Sequence, residues 1–239
     1  MRRDEYIRIA QVEASHWWYA ATRALLQQIL EPYLRPGARL LDAGCGTGAT
    51  GGWLARYGRL IAADLEPLAL ALYRDSRPSA ALAAAELARL PFADESFDLA
   101  LCVTVLYHER VADPAAAVRE LARTVRPGGV VCLLEPGMPR LRRAHDRITH
   151  TARRFSRGDM RALLVAARLA PARVTGAYGF LVPPAIVKAA LEGERAASDL
   201  DTGHGAAGTL LARLAALERR WLARHDLPGG LSIVGVGVK

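Results

Sequence analysis

The chain has 239 residues, of which 51% are hydrophobic, and a formal net charge of +8 at pH 7. A chain of this length buries a full core, so we expect one domain, or one domain with a small cap, that folds on its own. The sequence contains no apolar run long enough to span a bilayer, and its start, MRRDE, lacks the apolar core of a signal peptide. These observations favour a cytoplasmic protein.

The cysteines and the positive charge exclude few further kinds of site or partner. Cys45, Cys102 and Cys132 are widely spaced and form no CxxC or Cys/His pattern, so we predict neither a disulfide framework nor a metal site. Lys188 and Lys239 are the only lysines, and arginine supplies the remaining positive charge. Composition bias explains this excess of arginine as well as an anionic partner does.

In chain order, the pattern alternates strands with helices. The predicted elements are helix 5–30, strand 38–43, helix 48–57, strand 59–64, a short helix from Pro67, strand 80–85, strand 97–103, helix 114–125, a turn at 127–129, strand 130–134, helix 157–169, strand 172–180, a helical stretch 184–225 and strand 231–238. This alternation predicts an α/β fold with a parallel, doubly wound sheet. We expect residues 1–35 to form an N-terminal helical cap and residues 36–239 the main domain, with a helical insertion near 184–225.

The most informative segment is LLDAGCGTG at residues 40–48. It fits the GxGxxG/A pattern of dinucleotide sites, and Asp64 lies 20 residues after Gly44, where a ribose-binding acid is expected. Taken alone, this pattern indicates NAD. However, Asp42 precedes the glycines and would repel a pyrophosphate. S-adenosylmethionine has no phosphate and carries a sulfonium and an ammonium group, so charge favours it over NAD.

Five blocks follow one another in the chain: LLDAGCGTG, IAADLEP, AELARLPFADESFD, LYH and ELARTVRPGG. Over about residues 35–135 they resemble the class I S-adenosylmethionine-dependent methyltransferases. The resemblance implies a Rossmann-like, seven-stranded sheet that is mostly parallel with an antiparallel last strand. It also implies that residues 36–239 form the cofactor-binding methyltransferase domain. The segments EASHWWY at 13–19 and 145–155 resemble a bacterial, methyltransferase type 11-like subgroup associated with glycan and natural-product pathways.

The resemblance assigns cofactor contacts to individual positions. It implies that the backbone of Gly44, Cys45 and Gly46 approaches the methionine and ribose portions. Asp42 would orient the amino-acid end, and Asp64 would accept hydrogen bonds from the ribose hydroxyls. The remaining implied contacts flank the adenine or the edge of the cofactor: Leu65, Glu86, Leu87 and Val103.

Candidates for a general base follow the predicted strand 97–103. Ligands bind beyond the carboxyl ends of parallel strands, where Tyr107 and His108 are expected. His145 is a third candidate. A base is required only when the acceptor is protonated at neutral pH, such as a hydroxyl or an ammonium.

The N-terminal helix is predicted to contribute an aromatic and cationic face. His16, Tyr19 and Arg23 are three and four residues apart, so they share one side of a helix. We expect this face to close over the cofactor, with Arg23 at the methionine carboxylate and His16 and Tyr19 at the substrate. The alternative is that the neighbouring tryptophans simply pack against the core.

A local cluster of arginines lies between residues 140 and 161: Arg140, Arg142, Arg143, Arg147, Arg153, Arg154, Arg157 and Arg161. The resembled family shapes its acceptor pocket with this stretch, which makes Arg153 and Arg154 candidates for binding an anionic acceptor. A solvated basic face explains the same pattern. Nucleic acid is disfavoured, because few aromatic residues are interleaved with the arginines.

The sequence therefore predicts methyl transfer from S-adenosylmethionine to a small-molecule or carrier-linked acceptor by in-line displacement. Three alternatives stay open: cyclisation or another alkyl transfer from the same cofactor, a non-catalytic binding protein for it, and a nicotinamide-dependent oxidoreductase. The sequence determines neither the acceptor atom nor the oligomeric state.

Overall fold

The computed structural model describes residues 3–141, 143–191 and 205–239. Its helices are α1 (Arg3–Val12), α2 (Trp17–Leu30), α3 (Pro67–Ser76), α4 (Pro114–Thr124), α5 (His145–Ile148), α6 (Arg157–Ala166), α7 (Val182–Leu191) and α8 (Gly205–Leu222). Its strands are β1 (Ala38–Ala43), β2 (Gly58–Asp64), β3 (Ala81–Ala84), β4 (Phe97–Val103), β5 (Val125–Pro136), β6 (Ala170–Ala177) and β7 (Ser232–Val238). Short 3-10 turns span Glu31–Tyr33, Gly52–Arg56 and Gly179–Leu181.

The seven strands form one sheet in the order β3-β2-β1-β4-β5-β7-β6. Strands β1 to β5 pair in parallel, and β7 pairs antiparallel with both β5 and β6. The predicted Rossmann-like sheet with an antiparallel last strand is therefore confirmed. The strand order reverses between β1 and β4, and ligands of doubly wound sheets bind at the carboxyl side of such a reversal.

Helices cover both faces of the sheet. On one face, α2 and α8 bury apolar residues that include Leu26, Leu30 and Leu222. On the other face, α4 and α6 bury residues that include Leu121 and Leu164. Helix α2 contributes fully buried leucines to the main core, and the division at residue 35 stays a prediction.

The predicted helix 5–30 is two helices, α1 and α2, separated by a break at residues 13–16. His16 begins the second helix as its N-cap, since its Nδ1 accepts a hydrogen bond from the Trp18 backbone N–H at 3.3 Å. Ser15 donates to the Val12 carbonyl at 3.3 Å and so completes the end of α1. Side-chain capping, which a helical pattern does not reveal, divides the segment.

The predicted helix 48–57 is wrong: the segment is a loop followed by the 3-10 turn Gly52–Arg56. Gly48 has φ +93°, a left-handed conformation that ends helical geometry. A Cβ on Gly51 would lie 2.0 Å from Asp42 Oδ2, so the backbone passes directly over that carboxylate.

Other helices and strands agree with the predictions except in their bounds, whereas the predicted turn at 127–129 lies within β5, at an irregularity of its pairing with β4. Strand β6 ends at Ala177 instead of residue 180, because Tyr178 has φ +58°. The predicted helical stretch 184–225 contains α7 and α8, while its residues 192–204 lie outside the described part. In the described ranges, no helix is both long enough and apolar enough to cross a membrane.

Candidate cofactor and acceptor site

A cavity of about 670 Å³ opens at the carboxyl ends of β1, β2 and β4. Its wall is formed by α1, the start of α2, the glycine loop (residues 44–48), the turn after β4 (residues 104–108, the β4 turn), part of the segment 143–154, and α7. Small-molecule sites have volumes of about 300–1,000 Å³. The cavity therefore has room for a nucleoside-sized cofactor together with part of a second molecule.

The glycine loop forms one end of this cavity. The backbone N–H groups of Gly44 and Cys45 both donate to the Ala63 carbonyl, at 2.7 and 3.0 Å, which fixes the loop against β2. Gly44 has φ +74°, and a Cβ there would lie 2.2 Å from Val105 Cγ2. Gly46 has φ +53°, and a Cβ there would meet no atom within 4 Å. Gly44 thus makes close packing feasible, whereas Gly46 leaves open space for a ligand.

Asp64 ends β2 beside the glycine loop and lines the cavity. Its Oδ2 accepts from the Gly46 N–H at 2.8 Å, and its Oδ1 accepts from the Glu66 N–H at 2.9 Å. These hydrogen bonds fix the orientation of the carboxylate, and each oxygen keeps a further lone pair. Burial raises the pKa of Asp64, while its backbone hydrogen bonds lower it. The group is therefore built to receive hydroxyl donors from the cavity.

Most of the predicted cofactor residues line the cavity: Gly44, Cys45, Gly46, Asp64, Leu65, Glu86, Leu87 and Val103. Asp42 and Arg23 do not line it. Asp42 is 1% exposed, and its Oδ2 is buried without a hydrogen-bond partner among the described residues. Burial and the nearby Asp64 raise the pKa of Asp42 from 3.8 to about 7. Asp42 thus lies beneath Gly51, and its contact with the amino-acid end of the cofactor, directly or through water, stays a prediction.

Arg23 lies outside the cavity because its guanidinium is bound to the backbone. It donates to the Ala49 carbonyl at 2.9 Å and to the Glu13 carbonyl at 3.4 Å. The Glu13 carboxylate in turn accepts from the hydroxyl of Thr47, within the glycine loop. The predicted contact of Arg23 with the cofactor is replaced by a structural one: these groups attach the N-terminal segment to the glycine loop.

His108 lines the cavity, and one of its ring nitrogens is bound to the backbone. Its Nδ1 accepts the Arg110 backbone N–H at 3.1 Å, so the proton of the neutral ring resides on Nε2. Burial and neighbouring positive charge lower the pKa of His108 from 6.5 to about 4. At neutral pH this imidazole is uncharged and donates through Nε2–H.

Tyr107 and His145 also line the cavity. Burial raises the pKa of the Tyr107 phenol well above its usual range, and its side chain is hydrogen-bonded with Thr149. Tyr107 is therefore a neutral hydroxyl and not a strong base. His145 begins α5, whose C-terminal neighbour Thr149 donates from its hydroxyl to the His145 carbonyl at 3.1 Å. His145 remains a predicted base that lines the cavity.

The predicted substrate residues of α2 belong to an aromatic cluster on the cavity wall. His16 and Tyr19 line the cavity together with Trp17, Trp18 and Tyr178. The Trp17 and Tyr178 rings meet edge to face at 6.2 Å, and Trp18 and Tyr19 do so at 5.0 Å. Tyr178 is missing from the predicted site because it follows β6, about 160 residues after α2.

The arginine cluster does not converge on the cavity. Arg154 and Arg143 line it, whereas Arg153 donates to the carbonyls of Leu106 and Val111 at 2.9 and 2.6 Å. Arg153 is therefore a structural residue and not an acceptor ligand. Arg154 pairs with Asp146 at 2.5 Å, with only 9% and 11% of the two side chains exposed. Arg142 lies outside the described residues, and Arg140, Arg147 and Arg161 are exposed away from the cavity lining.

Sequence reasoning missed two glutamates that bind backbone amides, the buried Glu135 and the half-buried Glu218. Glu135 accepts three backbone N–H groups of the β4 turn, and Glu218 accepts three from residues 178–180. An alternating burial pattern gives no signal for either residue. The one available signal is a glutamate in the otherwise apolar run VVCLLE at the end of a predicted strand.

Comparisons with known proteins agree with this geometry. Residues 41–133 match the family model described as a methyltransferase domain. A demethylmenaquinone methyltransferase of Beutenbergia cavernae is 38% identical over 44% of this chain and 43% of its own length. A malonyl-[acyl-carrier protein] O-methyltransferase of Serratia marcescens is 35% identical over 47% of this chain and 46% of its own length. The chain thus matches less than half the length of these curated relatives.

The fold similarity extends further along the chain. The crystal structure of an S-adenosylmethionine-dependent methyltransferase from Mesorhizobium loti superposes with a TM-score of 0.62 at 18% identity. The superposition covers 95% of this chain and 100% of the other. At this identity the match concerns the fold.

The residues present fit S-adenosylmethionine. The Gly46 backbone leaves open space beside a fixed carboxylate, and Glu66, Glu86 and Asp64 give this end of the cavity the negative charge that suits a cation. Residues 41–133 thus match a methyltransferase domain, and the fold of the chain is similar to that of an S-adenosylmethionine-dependent methyltransferase.

Proposed function

We propose that the protein methylates a small-molecule or carrier-linked acceptor that combines an apolar body with an anionic or oxygen-rich group. The observation that carries the cofactor half of this proposal is the Asp64 carboxylate, oriented by the Gly46 N–H at the glycine-loop end of the cavity. When bound, S-adenosylmethionine supplies a methyl group that is already electrophilic, because it is attached to a sulfonium.

The residues of the chain would bind and orient the two ligands. Asp64 would accept hydrogen bonds from the ribose hydroxyls, and Leu65, which is 52% exposed, would cover one side of the adenine. Glu86 and Leu87 would contact the other parts of the base. These roles follow from the resemblance and from the positions of the side chains on the cavity wall.

Another part of the cavity wall carries basic residues, of which Arg154 is paired with Asp146. Arg143, His145, Arg154 and Lys188 line it, along with the aromatic cluster around Tyr178. The aromatic residues would exclude water and bind apolar surface, while the basic residues favour an anionic group. His16 and His108 also line the cavity, and the Nδ1 of each accepts a backbone N–H group.

Cofactor binding is tested by calorimetry with S-adenosylhomocysteine and, separately, with NAD. We expect saturable binding of the first ligand alone. Asp64→Asn should weaken it about tenfold or more, since a hydrogen bond to a charged group is worth about 1.5–3 kcal/mol. Asp75→Asn is the matched control, because Asp75 is exposed on α3 and does not line the cavity. Preferential binding of NAD would overturn the assignment.

The reaction is tested by product analysis with a panel of acceptors. The first two are demethylmenaquinone and malonyl-[acyl-carrier protein], which the names of the two curated relatives designate. S-adenosylhomocysteine as a product indicates methyl transfer, whereas methylthioadenosine indicates attack at another carbon. Cofactor binding without any turnover across the panel would favour a non-catalytic binding protein.

A further inference from the structure

The β4 turn contains a strained residue that lines the cavity. Thr104 has φ +54°, a left-handed conformation that is costly for a β-branched side chain. Its N–H donates to the Leu134 carbonyl at 2.7 Å, and its hydroxyl donates to the Val103 carbonyl at 2.7 Å. Strain of this kind persists only where surrounding contacts enforce it.

Glu135 supplies those contacts. Its side chain is 0% exposed at the end of β5, and its Oε1 accepts the N–H groups of Val105 and Leu106 at 3.0 and 2.8 Å. Its Oε2 accepts the Tyr107 N–H at 3.2 Å. One buried carboxylate thus binds three consecutive amides and determines the course of the turn.

The turn bound by Glu135 contacts both halves of the site. The Val105 side chain packs against the glycine loop, where a Cβ on Gly44 would lie 2.2 Å from Val105 Cγ2. Two residues further along, Tyr107 and His108 line the cavity. A displacement of the turn would therefore move the Val105 side chain away from the glycine loop, and would move Tyr107 and His108 on the cavity wall at the same time.

We infer that Glu135 is a positioning residue that holds the β4 turn against the glycine loop and thereby sets the affinity for the cofactor. The inference rests on the proposed function, since it concerns binding of S-adenosylmethionine in this cavity. Glu135 itself does not line the cavity, so it acts through Val105.

Glu218 provides a matched control elsewhere in the wall. It is carried by α8, and its carboxylate accepts the N–H groups of Tyr178, Gly179 and Phe180 at 2.5, 2.7 and 3.3 Å. Tyr178 also has positive φ, +58°. Each glutamate therefore accepts three consecutive backbone amides, although Glu218 is only half-buried, and Glu218 fixes the aromatic cluster and not the glycine loop.

The test compares Glu135→Gln with Glu218→Gln by calorimetry with S-adenosylhomocysteine, with thermal unfolding measured in parallel. A glutamine side chain keeps one acceptor oxygen and places an NH₂ group against at least one of the amides. We expect Glu135→Gln to weaken binding about tenfold and Glu218→Gln to change it less than about twofold, although both lower the unfolding temperature. Equal affinities of wild type and Glu135→Gln would overturn the inference.

A second measurement uses the wild-type protein, in case Glu135→Gln does not fold. Amide hydrogen exchange is followed with and without S-adenosylhomocysteine. We expect the ligand to slow exchange at Val105, Leu106 and Tyr107 more than at residues 178–180. Equal effects on the two segments would contradict the role of Glu135. Absence of any binding by the wild type would instead refute the proposed function.

Discussion

The buried Asp42 carboxyl makes folding stability depend on pH in a direction that can be measured. Its Oδ2 has no hydrogen-bond partner among the described residues. Burial, and to a smaller extent the charge of Asp64, raises the pKa of Asp42 from 3.8 to about 7. The folded state therefore holds this proton more tightly than the unfolded chain does. The stabilisation of the folded state by this proton is complete below pH 3.8 and is lost as the pH rises through 7.

The size of the effect follows from the two pKa values. Raising a carboxyl pKa from 3.8 to about 7 corresponds to about 4 kcal/mol of folding free energy, because each tenfold change in proton affinity is worth about 1.4 kcal/mol. About 2.5 kcal/mol of this loss falls between pH 5 and pH 8. Asp42→Asn does not titrate, so it should gain that amount relative to wild type over the same interval.

The assay is urea denaturation of wild type and Asp42→Asn at pH 5, 6, 7 and 8. Other buried carboxyls, such as Glu13 and Glu135, are common to both proteins, so their titration largely cancels in the difference. Asp75→Asn, on the exposed side of α3, serves as the control variant. A pH-independent difference for Asp42→Asn would refute the assignment of the raised pKa to this residue.

Two further predictions concern the glycine loop and the ion pair of the cavity wall. Gly44→Ala should abolish binding of S-adenosylhomocysteine in calorimetry, because the new methyl group would collide with Val105. Gly128→Ala is the control: Gly128 has a similar φ of +75°, a Cβ there would meet no atom within 4 Å, and the variant should retain wild-type affinity. Asp146→Asn should lower the free energy of unfolding by about 3 kcal/mol in urea denaturation, because it leaves the charge of Arg154 without its partner in a largely buried position. A loss below about 0.5 kcal/mol would show that the pair behaves like an exposed one.

The sequence predicted the sheet well because strand alternation and turn residues are local signals. Strand 97–103 coincides with β4, and the glycine loop lies at the carboxyl end of β1 as expected. The predictions of helices were wrong where side chains bind the backbone or where backbone segments pack closely. His16 divides a continuous helical pattern by capping α2, and the glycines at 48, 51 and 52 replace a predicted helix with close backbone packing.

The site shows the same division between local and distant signals. Asp64 and the glycines were found because a fixed spacing within one strand–loop unit identifies them. Arg23 and Arg153 were predicted to bind ligands, but both donate to backbone carbonyls. The carbonyl bound by Arg153 belongs to Leu106, far away in the sequence. Glu135 gave no functional signal, since its role depends on a pairing of β4 with β5 that only the folded sheet provides.

The position of β7 between β5 and β6 has a consequence for synthesis of the protein. Strand β6 is translated before β7, yet β7 is the strand to which it pairs. While α7 and α8 are being translated, β6 has no strand to bind, and its exposed amides and carbonyls are free to pair with other chains. We therefore expect the nascent protein to be most prone to aggregation, and most in need of chaperones, during this interval.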